Sequence, residues 1–193
     1  MPTHILDLTR AADTPDTRGV PRNLQELETF DRETGNLQVI IETPKDHRNK
    51  YSYDRKLGVF RLKSVLPAGQ AFPFDFGFIP GTLGQDGDPL DILVLMEEPA
   101  AMGCLVHVRL IAVIEAEQTE QGKTERNDRL IAVSAASREY HLVESLEQIN
   151  PNLIKEIEQF FISYNQMSGR VFKPVGRAGK ERALELVREG MRK

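Results

Sequence analysis

Short runs of β-branched and aromatic residues dominate the middle of the chain. LQVIIE from Leu37, then KYSYD, then GVFRLKSVL are separated by turn residues and prolines, the pattern of successive strands. The segment PFDFGFIPGTLGQDGDP alternates aromatic and small residues, ends in a dense turn cluster, and opens into LDILVLM, an apolar run of strand length stopped by Pro99. Cys104 to Glu115 is the longest predicted strand and RLIAVSA after Asp128 another, with the polar EAEQTEQGKTERND between them predicted as an exposed hairpin loop. After Asn150 as N-cap and Pro151 at the first helical position, the period changes. Leu153, Ile154, Ile157, Phe160, Phe161, Tyr164 and Met167 recur at three- and four-residue spacing until Gly169, which predicts an amphipathic helix. A second helix is expected from about Gly179 to the end, with Ala183, Leu184, Val187 and Met191 as its apolar stripe.

Strands followed by helices indicate an α+β domain: a closed or strongly curled β-barrel, OB-like, flanked by C-terminal helices. It spans residues 37–193. Residues 1–36, rich in Asp, Thr, Pro and Arg, read as an arm packed on that domain, with a short helical segment in which Asn23 caps and Leu24, Leu27 and Phe30 share a face.

Composition narrows the classes. The 193 residues are 40% hydrophobic and carry 29 acids against 25 bases, a formal charge of −4, so no positive field favours nucleic acid or an anionic membrane. The most apolar stretch, Leu105 to Ile114, is interrupted by His107 and Arg109 and falls far short of a bilayer span. A lone cysteine and an N-terminus without a signal-like core make the cytoplasm the expected compartment. Cys104 and His107, three apart on a strand, face opposite ways, so Cys104 is expected to pack in the core.

Asp86, Asp88 and Asp91 crowd three like charges into one strand mouth, in a turn shaped by Gly87 and Pro89. Such crowding disfavours ionisation unless a cation sits among them, and an all-oxygen set suits Mg²⁺ or Mn²⁺. The alternative is an acidic turn whose aspartates cap backbone amides. An EF-hand fails because Leu90 and Asp91 stand at its fifth and sixth positions, and GRAGKE fails as a phosphate loop because Pro174 and Glu181 stand at required Gly and Ser/Thr positions.

DGDPLD followed by an apolar strand resembles the signature of the soluble, Mg²⁺-dependent inorganic pyrophosphatases of the β-barrel type. IETP with Glu42, NKY with Lys50, the FPFDFGFIPGTLGQDGDPLD run, DRLIAV with Arg129 and FFISYNQM with Tyr164 are similar to that family's landmarks, in the same order, over roughly Leu37 to Phe172. The resemblance implies that Asp86, Asp88, Asp91 and Glu42 handle metal, that Asp88 also serves the attacking water, and that Lys50, Arg129 and Tyr164 contact phosphate. It also implies a homo-oligomer. Several family positions are replaced: the acid two after the phosphate lysine is Ser52, an arginine is Ser64, two tyrosines are Phe72 and Phe76, a metal-binding aspartate is Asn127, and the lysine beside Tyr164 is Asn165. Asp128 or Glu125 can substitute for the lost acid only if the loop shifts, and Lys63 and Arg61 lie just before Ser64. The expected function is metal-dependent hydrolysis of pyrophosphate to two phosphates, with turnover reduced by these losses. The alternatives are a protein of this fold that binds a phosphate compound without turnover, and a hydrolase retuned to another phosphoanhydride or phosphate ester.

Overall fold

The computed structural model describes residues 23–191. In chain order its elements are β1 (Leu37–Thr43), β2 (Asn49–Asp54), β3 (Val59–Val65), β4 (Asp75–Phe78), β5 (Asp91–Leu95), β6 (Leu105–Glu120), β7 (Lys123–Arg126), β8 (Arg129–Ser134), α1 (Pro151–Met167), β9 (Val171–Gly179) and α2 (Lys180–Gly190). The fold is sheet-dominated, with two helices. A seven-stranded mixed sheet runs in the order β1-β4-β5-β8-β6-β7, with β9 paired to β6, while β2 and β3 form a separate hairpin. β1 also pairs with β6, so the run β1-β4-β5-β8-β6 returns to its starting strand. The pairing of β5 with β8 is parallel.

Strand alternation sorts the apolar residues into two cores. Ile92 and Val94 with Leu130 and Ala132 enter one, and Leu93 and Leu95 with Ile131 and Val133 enter the other, which is why these strands read as continuous apolar runs. The α1 stripe of Ile154, Ile157 and Phe161 closes the core that holds Phe72, Phe74 and Phe76. Full burial of a side chain the size of Phe161 contributes about 2–3 kcal/mol. α2 closes the other core with Ala183 and Val187. β4 crosses β1 so tightly that a Cβ on Gly77 would lie 2.0 Å from the Ile40 carbonyl oxygen, and only glycine fits there.

Asn150 caps α1, its side chain accepting from the Asn152 amide at 3.0 Å, and Pro151 opens the helix. The predicted helix near Asn23 is a single 3₁₀ turn, Leu24–Glu26, capped by Asn23. Leu24 and Leu27 rest on Ile40, Tyr53 and Phe78, whereas Phe30 joins the α2-side core. The rest of the expected arm, residues 1–22, lies outside the described residues.

Three expectations change. The polar linker is largely strand: β6 runs on to Glu120 and β7 pairs back on it through a two-residue turn, with φ of 50° at Gln121 and 81° at Gly122. Both strands are polar there, so no alternation marked them. β9 was concealed by Pro174, Gly176 and Gly179, yet it pairs with β6 along its length, with a register shift at Glu115/Ala116. Cys104 is exposed and does not pack in the core, because the strand begins only at Leu105. No helix among the described residues is long and apolar enough to cross a membrane.

Candidate active site

The aspartate turn is fastened at several points. Thr82 is buried, and its Oγ1 donates to the Ile79 carbonyl at 2.6 Å while accepting from the Leu90 amide at 3.1 Å, joining the two ends of the loop. The Leu83 amide donates to the Gly190 carbonyl at 2.7 Å, tying the loop to the end of α2. Inside the loop the Gly84 amide donates to the Asp88 carbonyl at 2.7 Å, Gly87 takes φ of 86°, and the Asp86 carboxylate accepts from the Asp88 amide at 3.1 Å. Thr82→Val keeps the shape but strands the Leu90 amide in a protein interior. The expected loss is about 1–3 kcal/mol, read as a lower urea midpoint at unchanged slope. An unchanged midpoint would show that the hydroxyl does not fasten the loop.

This loop forms one wall of a cavity of about 350 Å³. All seven sequence-predicted residues line it: Glu42 from β1, Lys50 from β2, Asp86 and Asp88 from the loop, Asp91 and Arg129 from the first positions of β5 and β8, and Tyr164 from α1. Four more charged residues join them. Lys63 comes from β3, Glu120 and Glu125 from the β6–β7 hairpin, and Arg170 from the turn after α1. Of the two substitutes considered for the lost acid, Glu125 lines the cavity. Asp128 turns to Arg126 at 2.8 Å and to the Ala116 amide at 2.8 Å, and lines a smaller adjoining cavity instead. Six carboxylates and four cations leave the main cavity a formal surplus of two negative charges.

The carboxylates are engaged by neighbouring groups. Glu42 meets Lys50 at 3.0 Å and accepts from the Tyr53 amide at 2.7 Å. Lys50 lies over the Phe76 ring, 4.2 Å from its centroid, with the Phe72 ring at 5.8 Å. The two phenylalanine rings give the lysine an aromatic seat. Asp91 meets Arg129 at 2.8 Å, and Arg129 also donates to the backbone carbonyls of Asn127 and Asp128 and to the Asn127 side chain. The guanidinium is buried against Phe161 and Phe172, at 4.9 and 5.2 Å from their centroids.

Burial raises the Asp91 carboxyl to about 6; Arg129 and Lys50 oppose the rise, and Glu42 and Asp86 add to it. Its side chain keeps 26% exposure, since it opens into the cavity and not to bulk solvent. Burial likewise raises Asp86. The Tyr164 phenol is raised by burial, with the charges of Arg170, Lys63 and Arg129 pulling the other way.

As the side chains stand, no three Asp, Glu, His or Cys groups among the described residues converge closely enough to hold an ion. The donor set nevertheless fits a hard divalent cation: six carboxylates line the cavity, at least two with ionisation disfavoured by burial, and no sulfur or imidazole stands among the lining groups. Among the replaced positions, Ser52, Phe72, Phe76, Asn127 and Asn165 line the cavity and Ser64 does not. Ser64 is exposed opposite Lys50 in the hairpin, and Asn127 donates to Gln118 at 3.1 Å. Asn165 is turned inward, its Nδ2 donating to the Phe161 carbonyl at 2.9 Å.

The chain is similar to known proteins both in sequence and in fold. The family model described as inorganic pyrophosphatase matches residues 39–193. The inorganic pyrophosphatase of Methanosarcina acetivorans is 37% identical over 151 residues, 78% of this chain and 88% of the relative. That of Thermus thermophilus is 35% identical over 169 residues, 86% and 94% of the two chains. A crystal structure of the Thermus thermophilus inorganic pyrophosphatase superposes with a TM-score of 0.80 at 34% identity, covering 88% of this chain and 97% of that one. One from Neisseria gonorrhoeae superposes with a TM-score of 0.77 at 31% identity, covering 91% and 97%.

Proposed function

The chain belongs to the inorganic pyrophosphatase family, and from that premise we propose how its cavity divides the work of hydrolysing pyrophosphate to two phosphates. The activity is that of a metal-dependent hydrolase acting on pyrophosphate. Asp86, Asp88, Asp91 and Glu42 would hold the metal, Mg²⁺ first, with Mn²⁺ suited to the same oxygens. When bound, the metal supplies a water of lowered pKa and neutralises charge on the phosphate oxygens. Asp88 orients or deprotonates the attacking water, while Lys50 and Arg129 take phosphate oxygens and Tyr164 offers its hydroxyl to them.

The observation that carries this reading is the meeting of all seven residues at one cavity although they come from β1, β2, β5, β8, α1 and a loop. Its surplus of negative charge repels a bare pyrophosphate, so substrate and divalent cations are expected to enter together. Lys50 and Arg129 sit on Glu42 and Asp91. With those carboxylates engaged by a divalent cation, Lys50 and Arg129 would be free to take phosphate oxygens. Ser52, Asn127 and Asn165 remove charge from the cavity, and we expect turnover below that of a member with the full set. The closed run of pairings supports a barrel of OB type. Composition supports a cytoplasmic protein, and the exposed apolar Val59, Leu62 and Val65 of β3 support a homo-oligomer.

The test is phosphate release from pyrophosphate and from a panel of nucleotides, each with Mg²⁺ and with Mn²⁺, beside a melting curve with millimolar metal. Release from pyrophosphate with either ion is expected, together with a higher melting temperature, because the ion binds the folded site and relieves its crowded carboxylates. Release from a nucleotide alone would mean a retuned hydrolase. No release would mean a binding protein, and an unmoved melting temperature would remove the metal assignment.

A further inference from the structure

Arg170 lies in the turn between α1 and β9, outside every motif that marks the site in the sequence. Ser168 ends the helix, Gly169 takes φ of 72°, and the Arg170 amide donates back to the Asn165 carbonyl at 3.0 Å. This reversal returns Arg170 to the last turn of the helix that carries Tyr164, and its side chain lines the cavity. Its Nε is buried with no hydrogen-bond partner. Among the described residues three buried side-chain atoms lack a partner: Gln70 Oε1, Arg129 Nε and Arg170 Nε. Two of the three thus sit on arginines of this one cavity. A buried charged donor without an acceptor is costly and uncommon, and calls for an explanation.

Asn165 sharpens the point. It is 1% exposed, and its amide is spent on the Phe161 carbonyl, so the position after Tyr164 presents no cation to the cavity. Arg170 lines the same cavity as Tyr164 from the far side of the turn, and among the surrounding charges it opposes most strongly the rise that burial imposes on the phenol. Lys50 and Arg129 already have carboxylate partners, whereas Arg170 has no ion pair among the described residues.

We propose that Arg170 is a phosphate-binding residue of this cavity, its guanidinium gripping oxygens of pyrophosphate or of product phosphate beside Tyr164 and supplying the cation that Asn165 does not. The planar fork of an arginine suits a phosphate face, and no carboxylate among the described residues holds the Arg170 guanidinium, so a phosphate has no ion pair to displace there. The assignment rests on the pyrophosphatase reading of the cavity, but its test does not depend on turnover.

The full chain and its Arg170→Ala and Arg170→Lys variants are titrated calorimetrically, in the presence of Mg²⁺, with inorganic phosphate and with methylene diphosphonate, whose P–C–P bridge resists hydrolysis. Arg170→Ala is expected to bind both probes ~10- to 100-fold more weakly, the range for hydrogen bonds to charged groups. Arg170→Lys should lose less, and millimolar guanidinium ion should restore part of the affinity of Arg170→Ala. Melting temperatures should stay close to the parent's, since the side chain has no hydrogen-bond or ion-pair partner among the described residues. Parent-like affinity in Arg170→Ala overturns the assignment, as does equal loss in both variants without rescue by guanidinium. A parent that binds the diphosphonate through Arg170 but releases no phosphate from pyrophosphate sinks the hydrolase reading and leaves Arg170 in place. A parent that binds neither probe sinks both.

Discussion

Asp88→Asn is expected to slow phosphate release from pyrophosphate by ~10²-fold or more, the usual contribution of a positioned general base. The substitution is clean because the bonds that shape the loop at this position come from the backbone: the Asp88 amide donates to Asp86 and its carbonyl accepts from Gly84. An amide side chain keeps the volume and loses the charge and the basicity. Pyrophosphate affinity in the presence of Mg²⁺ should change far less, since Asp86 and Asp91 keep their oxygens and Lys50 and Arg129 keep their charge. Rate and calorimetric affinity are measured on the same preparations. Undiminished hydrolysis would remove Asp88 from its role, and a parallel collapse of affinity would recast it as chiefly a metal ligand.

Arg129→Ala should injure both stability and function. The guanidinium is 4% exposed, rests on two phenylalanine rings, and makes contact with Asp91 and with the Asn127 and Asp128 carbonyls. Removing one partner of a buried pair typically costs 3–5 kcal/mol; because Asp91 opens into the cavity, about 2–4 kcal/mol is expected here. The cause is separable from lost packing. In Arg129→Ala with Asp91→Asn the stranded charge is gone, so the double variant should be more stable than the sum of the two single losses allows. Urea denaturation of the four proteins closes the cycle, and losses that simply add would show that the pair carries no coupling. Phosphate release in Arg129→Ala should also fall by ~10²-fold, as for other cations at developing phosphate charge.

What could be read from the chain follows from where the physics is local. The aspartate loop is announced by Gly87 and Pro89 because turn chemistry depends on nearest neighbours. α1 is announced by Asn150, Pro151 and a clean period, and β5 and β8 by apolar runs. β9 was hidden because its pairing with β6 overrides the preferences of Pro174 and Gly176, and the far end of β6 was hidden because neither of its faces there is apolar. The site divides the same way. Its seven motif-borne residues could be named from the chain and line one cavity, whereas Arg170 and Glu120 line it only through a chain reversal and a strand extension that no short window of sequence encodes.

The pairing of β1 with β6 bears on how the enzyme is born. Leu37 meets Val108 and Gln38 meets His107 across a long stretch of chain, and such distant contacts are entropically expensive to form early in folding. Glu42 lies on the strand those contacts secure, Arg129 on one not yet made when β5 is complete, and Tyr164 on a helix later still. A nascent chain emerging as far as β5 therefore already carries Glu42, Lys50 and all three aspartates, but has no cavity to put them in. The cavity can close around those acids only once β6, β8 and α1 have been made.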